Sequence, residues 1–199
     1  MYHNSFHYTP ADVDCRFCTA FSRHRCAASD GCVCVAERIE AGVVGYAEAL
    51  RAVFPKRLSP ALRARLRFLA ENFSGSLWED AGHEERFRQR LRVFGYLKSR
   101  DTPRCFAALF ALTADPDVWR AACGCFDACG FHADRRMPRD LPPNGYGLLR
   151  AVDDLCRRGE LLLPADLADC EAVDTASLRV IANALLIARF GLDALKITF

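Results

Sequence analysis

Ser59-Pro60, Thr102-Pro103 and Asp115-Pro116 constrain this chain more than any other feature. In each pair a side-chain oxygen able to accept from a backbone N–H two or three residues on precedes a proline. The fixed φ and missing N–H of proline suit the first helical position. Apolar residues then recur at spacings of three and four, the signature of one buried helix face. Leu62, Leu66, Leu69 and Phe73 make one such stripe, broken at Gly75. Phe106, Leu109 and Phe110 make a second. Val118, Trp119, Ala122 and Phe126 make a third, which Gly130 is placed to close. Phe87, Leu91, Phe94 and Leu97 predict a helix near 82–98, and Tyr146, Leu149, Val152 and Cys156 one that stops at Gly159. Asp174 caps the last, with Leu178, Ile181, Leu185 and Ala188 inward and Gly191 as its end. Two shorter helices are expected ahead of these, Val35 to Ile39 stopped at Gly42 and Tyr46 to Val53 stopped at Pro55; residues 161–173 predict a turn or a single helical turn. Period-two alternation never survives beyond a few residues. The fold class expected is therefore all-α, and at 51% hydrophobic the chain has enough apolar mass for a sizeable core.

The second constraint is a stretch of cysteines. Residues 15–34 hold Cys15, Cys18, Cys26, Cys32 and Cys34 together with His24. A Cys-x2-Cys turn brings two thiolates to one side, and four soft ligands in one loop-rich segment are what a tetrahedral Zn2+ requires. Cys15, Cys18, Cys26 and Cys32 are the expected ligands, with Cys34 as substitute. Such a closed site holds a fold and leaves no position for substrate. Pairing as disulfides needs an oxidising compartment. The opening Met1-Tyr-His-Asn-Ser-Phe-His-Tyr-Thr-Pro10 has no basic, apolar and small-residue order of a secretory signal, so a reduced, cytoplasmic setting is expected. No apolar run approaches the roughly 20 residues of a membrane span; Val180 to Ile187, the longest candidate, is interrupted by Asn183. The expected organisation is a zinc-knuckle module over 1–55 and a helical domain over 56–199 with a core of its own.

On a helix, Cys125, Cys129 and His132 would lie at i, i+4 and i+7 on one face and could hold a second metal, although Trp119, Ala122 and Phe126 beside them read as core. His83, Glu84 and Glu85 stand near a helix start, where acids favour the dipole without any catalytic role. No phosphate-cradling glycine loop, His-Glu-x-x-His or paired-carboxylate arrangement is present. No small-molecule substrate is indicated and no enzyme is expected.

Charge carries the remaining signal. The net charge is only +2, but arginines concentrate between residues 51 and 104 while acids gather in the last fifty residues. Arginine suits bidentate phosphate contact. Arg63 and Arg67 share one helix face, and Arg86 and Arg90 share another. Together with Arg57 they are the candidate contacts for nucleic acid or a nucleoprotein.

The run from Cys26 to Tyr46, Cys-x5-Cys-x-Cys-Val-Ala-Glu-Arg-Ile-Glu-Ala-Gly-Val-Val-Gly-Tyr, resembles a family of uncharacterised cysteine-rich proteins carried on conjugative and integrative elements of Gram-positive gut bacteria. That family places a cysteine, a proline and an aromatic before its Glu-Arg-Ile-x-Ala-Gly run, and Cys32-Val33-Cys34 departs from it. Phe106-Ala-Ala-Leu-Phe-Ala-Leu-Thr and Tyr146-Gly-Leu-Leu-Arg are similar to helical proteins of the same elements. The resemblance implies a mobile-element setting and no known activity. It leaves two expectations: a zinc-stabilised protein that binds nucleic acid or nucleoprotein, or an anti-defence inhibitor of the anti-CRISPR kind that binds a host effector protein.

Overall fold

The helix starts sit where the cap–proline pairs place them. In the computed structural model, Ser59 Oγ accepts from Leu62 N–H at 3.2 Å, Thr102 Oγ1 from Cys105 N–H at 3.3 Å, and Asp115 Oδ1 from Val118 N–H at 3.0 Å. Asp174 does the same for Ser177 N–H at 2.7 Å. The structure describes residues 6–23, 25–26, 32–94, 102–127, 130–132, 141, 145–157 and 163–198. Among them it is mostly helical. The helices are α1 (Val35–Glu40), α2 (Tyr46–Val53), α3 (Pro60–Glu71), α4 (Ala81–Phe94), α5 (Pro103–Thr113), α6 (Pro116–Ala122), α7 (Gly145–Arg157), α8 (Pro164–Ala168) and α9 (Thr175–Phe190), followed by a 3-10 segment Gly191–Lys196. Gly42 and Gly191 adopt φ of +70° and +69° and turn the chain where α1 and α9 end. No helix among the described residues is long and apolar enough to cross a membrane.

One expected helix is shorter than its pattern. The stripe Val118, Trp119, Ala122, Phe126 suggests continuation to Gly130, but α6 stops at Ala122. A 3-10 turn Cys123–Cys125 follows, then strands β3 (Phe126–Asp127) and β4 (Gly130–Phe131) pair antiparallel, Phe126 opposite Phe131. Both rings are buried, and β4 packs on α7. Tertiary burial of two phenylalanines, with Gly124 as a weak helix former between them and α6, overrides the local period. A second two-residue hairpin, β1 (Phe21–Ser22) with β2 (Arg25–Cys26), lies in the cysteine stretch.

The core is built on α5 against α9. Ala107 through Thr113 on α5 are buried without interruption, and so are Val180 through Ala184 on α9. A helix apolar on every side has neighbours on every side. Here α7 packs on both, α4 and α6 cover α5, and α2 covers α9. The same core continues through Ile39, Val44, Tyr46, Ala49, Leu50 and Phe54, so the boundary expected at Pro55 passes through it. Residues 35–54 are tied in by a polar contact as well. Tyr46 Oη donates to Asn183 Oδ1 at 2.7 Å, and Asn183 Nδ2 donates to the Leu77 carbonyl at 2.9 Å. Tyr46 also stacks on Phe73, with centroids 4.1 Å apart.

His83, fully buried on α4, is another polar residue of the core. Its Nδ1 accepts from Glu79 N–H at 3.2 Å, which leaves Nε2–H to donate to the Phe110 carbonyl at 2.9 Å. That arrangement requires the neutral ring, packed edge-on to Trp78. Burial pushes its pKa from 6.5 down to about 4.

Two outcomes are expected. The fragment 56–199 loses Ile39, Val44, Tyr46, Leu50 and Phe54, a burial worth on the order of 10 kcal/mol and comparable with the about 5–15 kcal/mol that stabilises a whole domain. It should express as a molten or insoluble chain, and a cooperative, native-like melt of that fragment would contradict the shared core. The depressed pKa of His83 makes the unfolded state bind the extra proton. Its contribution is complete above pH 6.5 and is lost as pH falls to about 4, a decline of about 3 kcal/mol. Chemical denaturation at a series of pH values should show that decline and its flattening in His83→Leu.

Candidate functional site

Two features of the N-terminal half stand next to each other, a cationic groove and the cysteine segment. The groove lies between α2 and α3 and encloses about 700 Å³. On α3 the stripe Leu62, Leu66, Leu69 faces the core. The flank at Arg63, Arg67 and Ala70, spaced i, i+4 and i+7, therefore turns along the groove. On α2, Leu50 and Phe54 supply floor and Arg51 supplies rim. Pro55 ends the helix, and the turn behind it adds Lys56 and Leu58. The result is an apolar floor edged by four cations.

Acid is scarce at that rim. Glu48 lines the groove, but its carboxylate is held in an ion pair by Arg38. Arg51, Arg63 and Arg67 are exposed and have no ion pair among the described residues. Arg57, on the α2–α3 turn, is exposed beside the groove and does not line it.

The other two candidate contacts are engaged in the fold. Arg86 donates from Nε to the Thr113 carbonyl at 2.8 Å and from Nη2 to the Ala114 carbonyl at 3.0 Å, closing the C-terminus of α5. The Arg90 guanidinium lies over the Trp119 ring, 5.0 Å from its centroid. Neither lines the groove. Arg65, opposite Arg63 on α3, likewise binds the carbonyls of Leu167 and Asp169 at 2.7 and 3.1 Å and anchors α8. A run of arginines in sequence has thus been divided between solvent and structure. Both pairs sit at i, i+4 beside a buried stripe, so spacing does not separate them; the carbonyls at the end of α5 and the Trp119 ring do.

In the cysteine segment, Cys15–Phe17 forms a 3-10 turn whose cap is Asp14, Oδ1 accepting from Arg16 N–H at 2.8 Å. Cys18 N–H closes it on the Cys15 carbonyl at 3.0 Å. Cys15 and Cys26 are exposed, while Cys18, Cys32 and Cys34 are half-buried. The chain returns after the β1–β2 hairpin so that Cys34 stands near Cys18. Burial pushes the Cys34 thiol up, and Cys18, Glu37 and Cys32 close by push it further. Arg38 stands near Cys32, which in turn lines the groove. No three cysteine, histidine or acidic side chains already converge on a single point among the described residues. Of the second cysteine group, Cys129 lies outside the described residues. Cys125 and His132 are not on one helix face. They stand opposite each other across the β3–β4 hairpin, His132 N–H donating to the Cys125 carbonyl at 2.7 Å.

Comparison with family models, with curated proteins and with solved structures finds no match for this chain.

The division among arginines has a measurable consequence. Arg86→Glu removes two charge-assisted bonds to buried carbonyls and should cost about 3–6 kcal/mol, since each such bond contributes about 1.5–3 kcal/mol. Arg63→Glu and Arg67→Glu should stay within about 0.5 kcal/mol of wild type, as exposed substitutions do. Thermal melts of the three single variants separate the classes.

Proposed function

We propose that the protein is a non-enzymatic binding protein, stapled near its N-terminus by a structural zinc ion, that engages nucleic acid along the groove between α2 and α3. The observation that carries this reading is the set Arg51, Lys56, Arg63 and Arg67 on the rim of one groove, with Arg57 alongside and the lining Glu48 already paired with Arg38. Phosphates neutralised by such a rim release their counterions, which supplies sequence-independent affinity. The floor at Leu50, Phe54 and Leu58 offers sugar and base faces an apolar seat. The contacts proposed are thus Arg57, Arg63 and Arg67 with the addition of Arg51 and Lys56. Arg86 and Arg90 are assigned to stability.

The apolar floor favours a second reading, that of an anti-defence inhibitor whose groove takes a segment of a host effector protein. The mobile-element setting behind it comes from the resemblance of the Cys26–Tyr46 run.

Oligonucleotide binding measured across a salt series tests the first reading. The affinity should fall linearly in log–log form. Each of Arg51→Ala, Arg63→Ala and Arg67→Ala should shallow the slope by about 0.7 for a single strand or about 0.9 for a duplex, independent of sequence. A slope unchanged in all three variants, or no binding at low salt, would overturn it. Loss of one protein complex in the Arg63→Glu/Arg67→Glu pair, without nucleic-acid binding, would establish the second.

A further inference from the structure

We infer that the occupant of the groove between α2 and α3 is a single strand of nucleic acid and not a duplex. The inference rests on the proposed nucleic-acid reading and names the form of nucleic acid that the groove takes. Helices α2 and α3 pack on each other, and packed helices run about 8–10 Å apart from axis to axis. A cleft between two such helices is narrow. The major groove of a duplex is by itself about 12 Å wide, so a duplex can only rest across the rims and leave the floor uncovered. The enclosed volume of about 700 Å³ is that of a cleft for a small ligand, and it suits a short run of nucleotides in single file. Duplexes are read the other way round, by a helix or ribbon inserted into their own groove, whereas this feature is concave.

Floor and rim match the two parts of a single strand. Leu50 and Phe54 form the bottom, with Leu58 and Ala70 half-buried beside them and Ala47 exposed on the α2 wall. In a duplex the base faces are stacked out of reach, so sugar and phosphate alone would meet this floor, and no apolar surface would leave water. An unstacked base of a single strand brings a face that can be buried there, whatever the identity of the base. The cations stand on both walls. Arg51 is in the last turn of α2, and Arg63 and Arg67 are one turn apart on α3, about 6 Å along its axis. That repeat suits neighbouring phosphates joined through one sugar. Arg63 Nη2 donates to the Leu58 carbonyl at 3.4 Å, which holds the guanidinium at the edge of the floor. The lining Glu48 has its charge offset by Arg38. Neutralisation of one phosphate each by Arg51, Arg63 and Arg67 gives an expected salt slope of about −2 for a single strand.

The test uses the full chain and fluorescently labelled probes of one length, read by anisotropy. They are an oligothymidylate, which does not pair with itself, a mixed-sequence duplex, and a strand of abasic sugars that keeps every phosphate. At matched salt the thymidylate should bind at least about tenfold more tightly than the duplex, and at least about tenfold more tightly than the abasic strand, which has lost the faces that the floor would bury. The thymidylate slope should shallow by about 0.7 in each of Arg63→Ala and Arg67→Ala, which ties the strand to this groove. An oligouridylate run beside it tells RNA from DNA as the preferred strand, and tighter binding of either than of the duplex supports the inference. A duplex bound as tightly as both single strands, with a slope that the same substitutions shallow, overturns the inference and leaves the proposed function standing. An abasic strand as tight as the thymidylate also overturns it, since the floor then contributes nothing. A thymidylate slope unmoved by both substitutions, or no binding of any probe at low salt, overturns the inference together with the proposed function.

Discussion

The hydrogen bonds of Asn183 are the constraint on which the arrangement of the chain depends. Its amide is buried in the middle of α9, where an unpaired polar group would be expensive. It has one arrangement that satisfies it: Tyr46 from α2 on the oxygen and the Leu77 carbonyl on the nitrogen. Apolar packing alone would let α2 and the segment after α3 slide over α9. The two bonds fix both in register, and Arg179 one turn earlier on α9 adds an ion pair to Glu79. Because α2 is fixed, so is its flank along the groove, and so is α1 before it, which carries Arg38 and Glu37 to the cysteines.

The groove therefore hangs from the core. Cys32 is at once a lining residue of the groove and a neighbour of the thiol pair. Arg38 stands near Cys32 and holds Glu48 of the groove in an ion pair. A metal bound at the cysteines would stiffen the same wall that presents the groove. Under this reading the staple is useful to binding although it takes no part in it.

Arginine divides into two working groups here. Arg65 and Arg86 end helices α8 and α5 by collecting carbonyls that have no helical partner, and Arg90 covers an indole. Arg51, Arg63 and Arg67 remain in solvent along one groove. The chain thus reaches a concentrated positive rim with a net charge of only +2. Association with a polyanion depends on this local field and less on the total.

Helix starts were legible from the sequence because a cap is a local contract among four residues. Ser59, Thr102, Asp115 and Asp174 make the bonds that their positions imply, and the periodic stripes locate the buried faces of α3 and α9 well enough to name Leu62, Leu66, Leu178 and Ile181. The Cys15–Cys18 turn belongs to the same class. What only the tertiary structure decided involves residues far apart in the chain. Phe126 left its helix because Phe131 and α7 offered it a better burial. Asn183, which in sequence only interrupts an apolar run, became a hub because Tyr46 arrives from 137 positions away. His83 read as a residue among first-turn acids and proved to be a neutral, buried donor to Phe110. Arg86 and Arg63 are indistinguishable as letters, and the carbonyls of Thr113 and Ala114 separate them. Local bonding is written in neighbouring residues; long-range partnership depends on where the core brings distant segments together, and no window of sequence contains both.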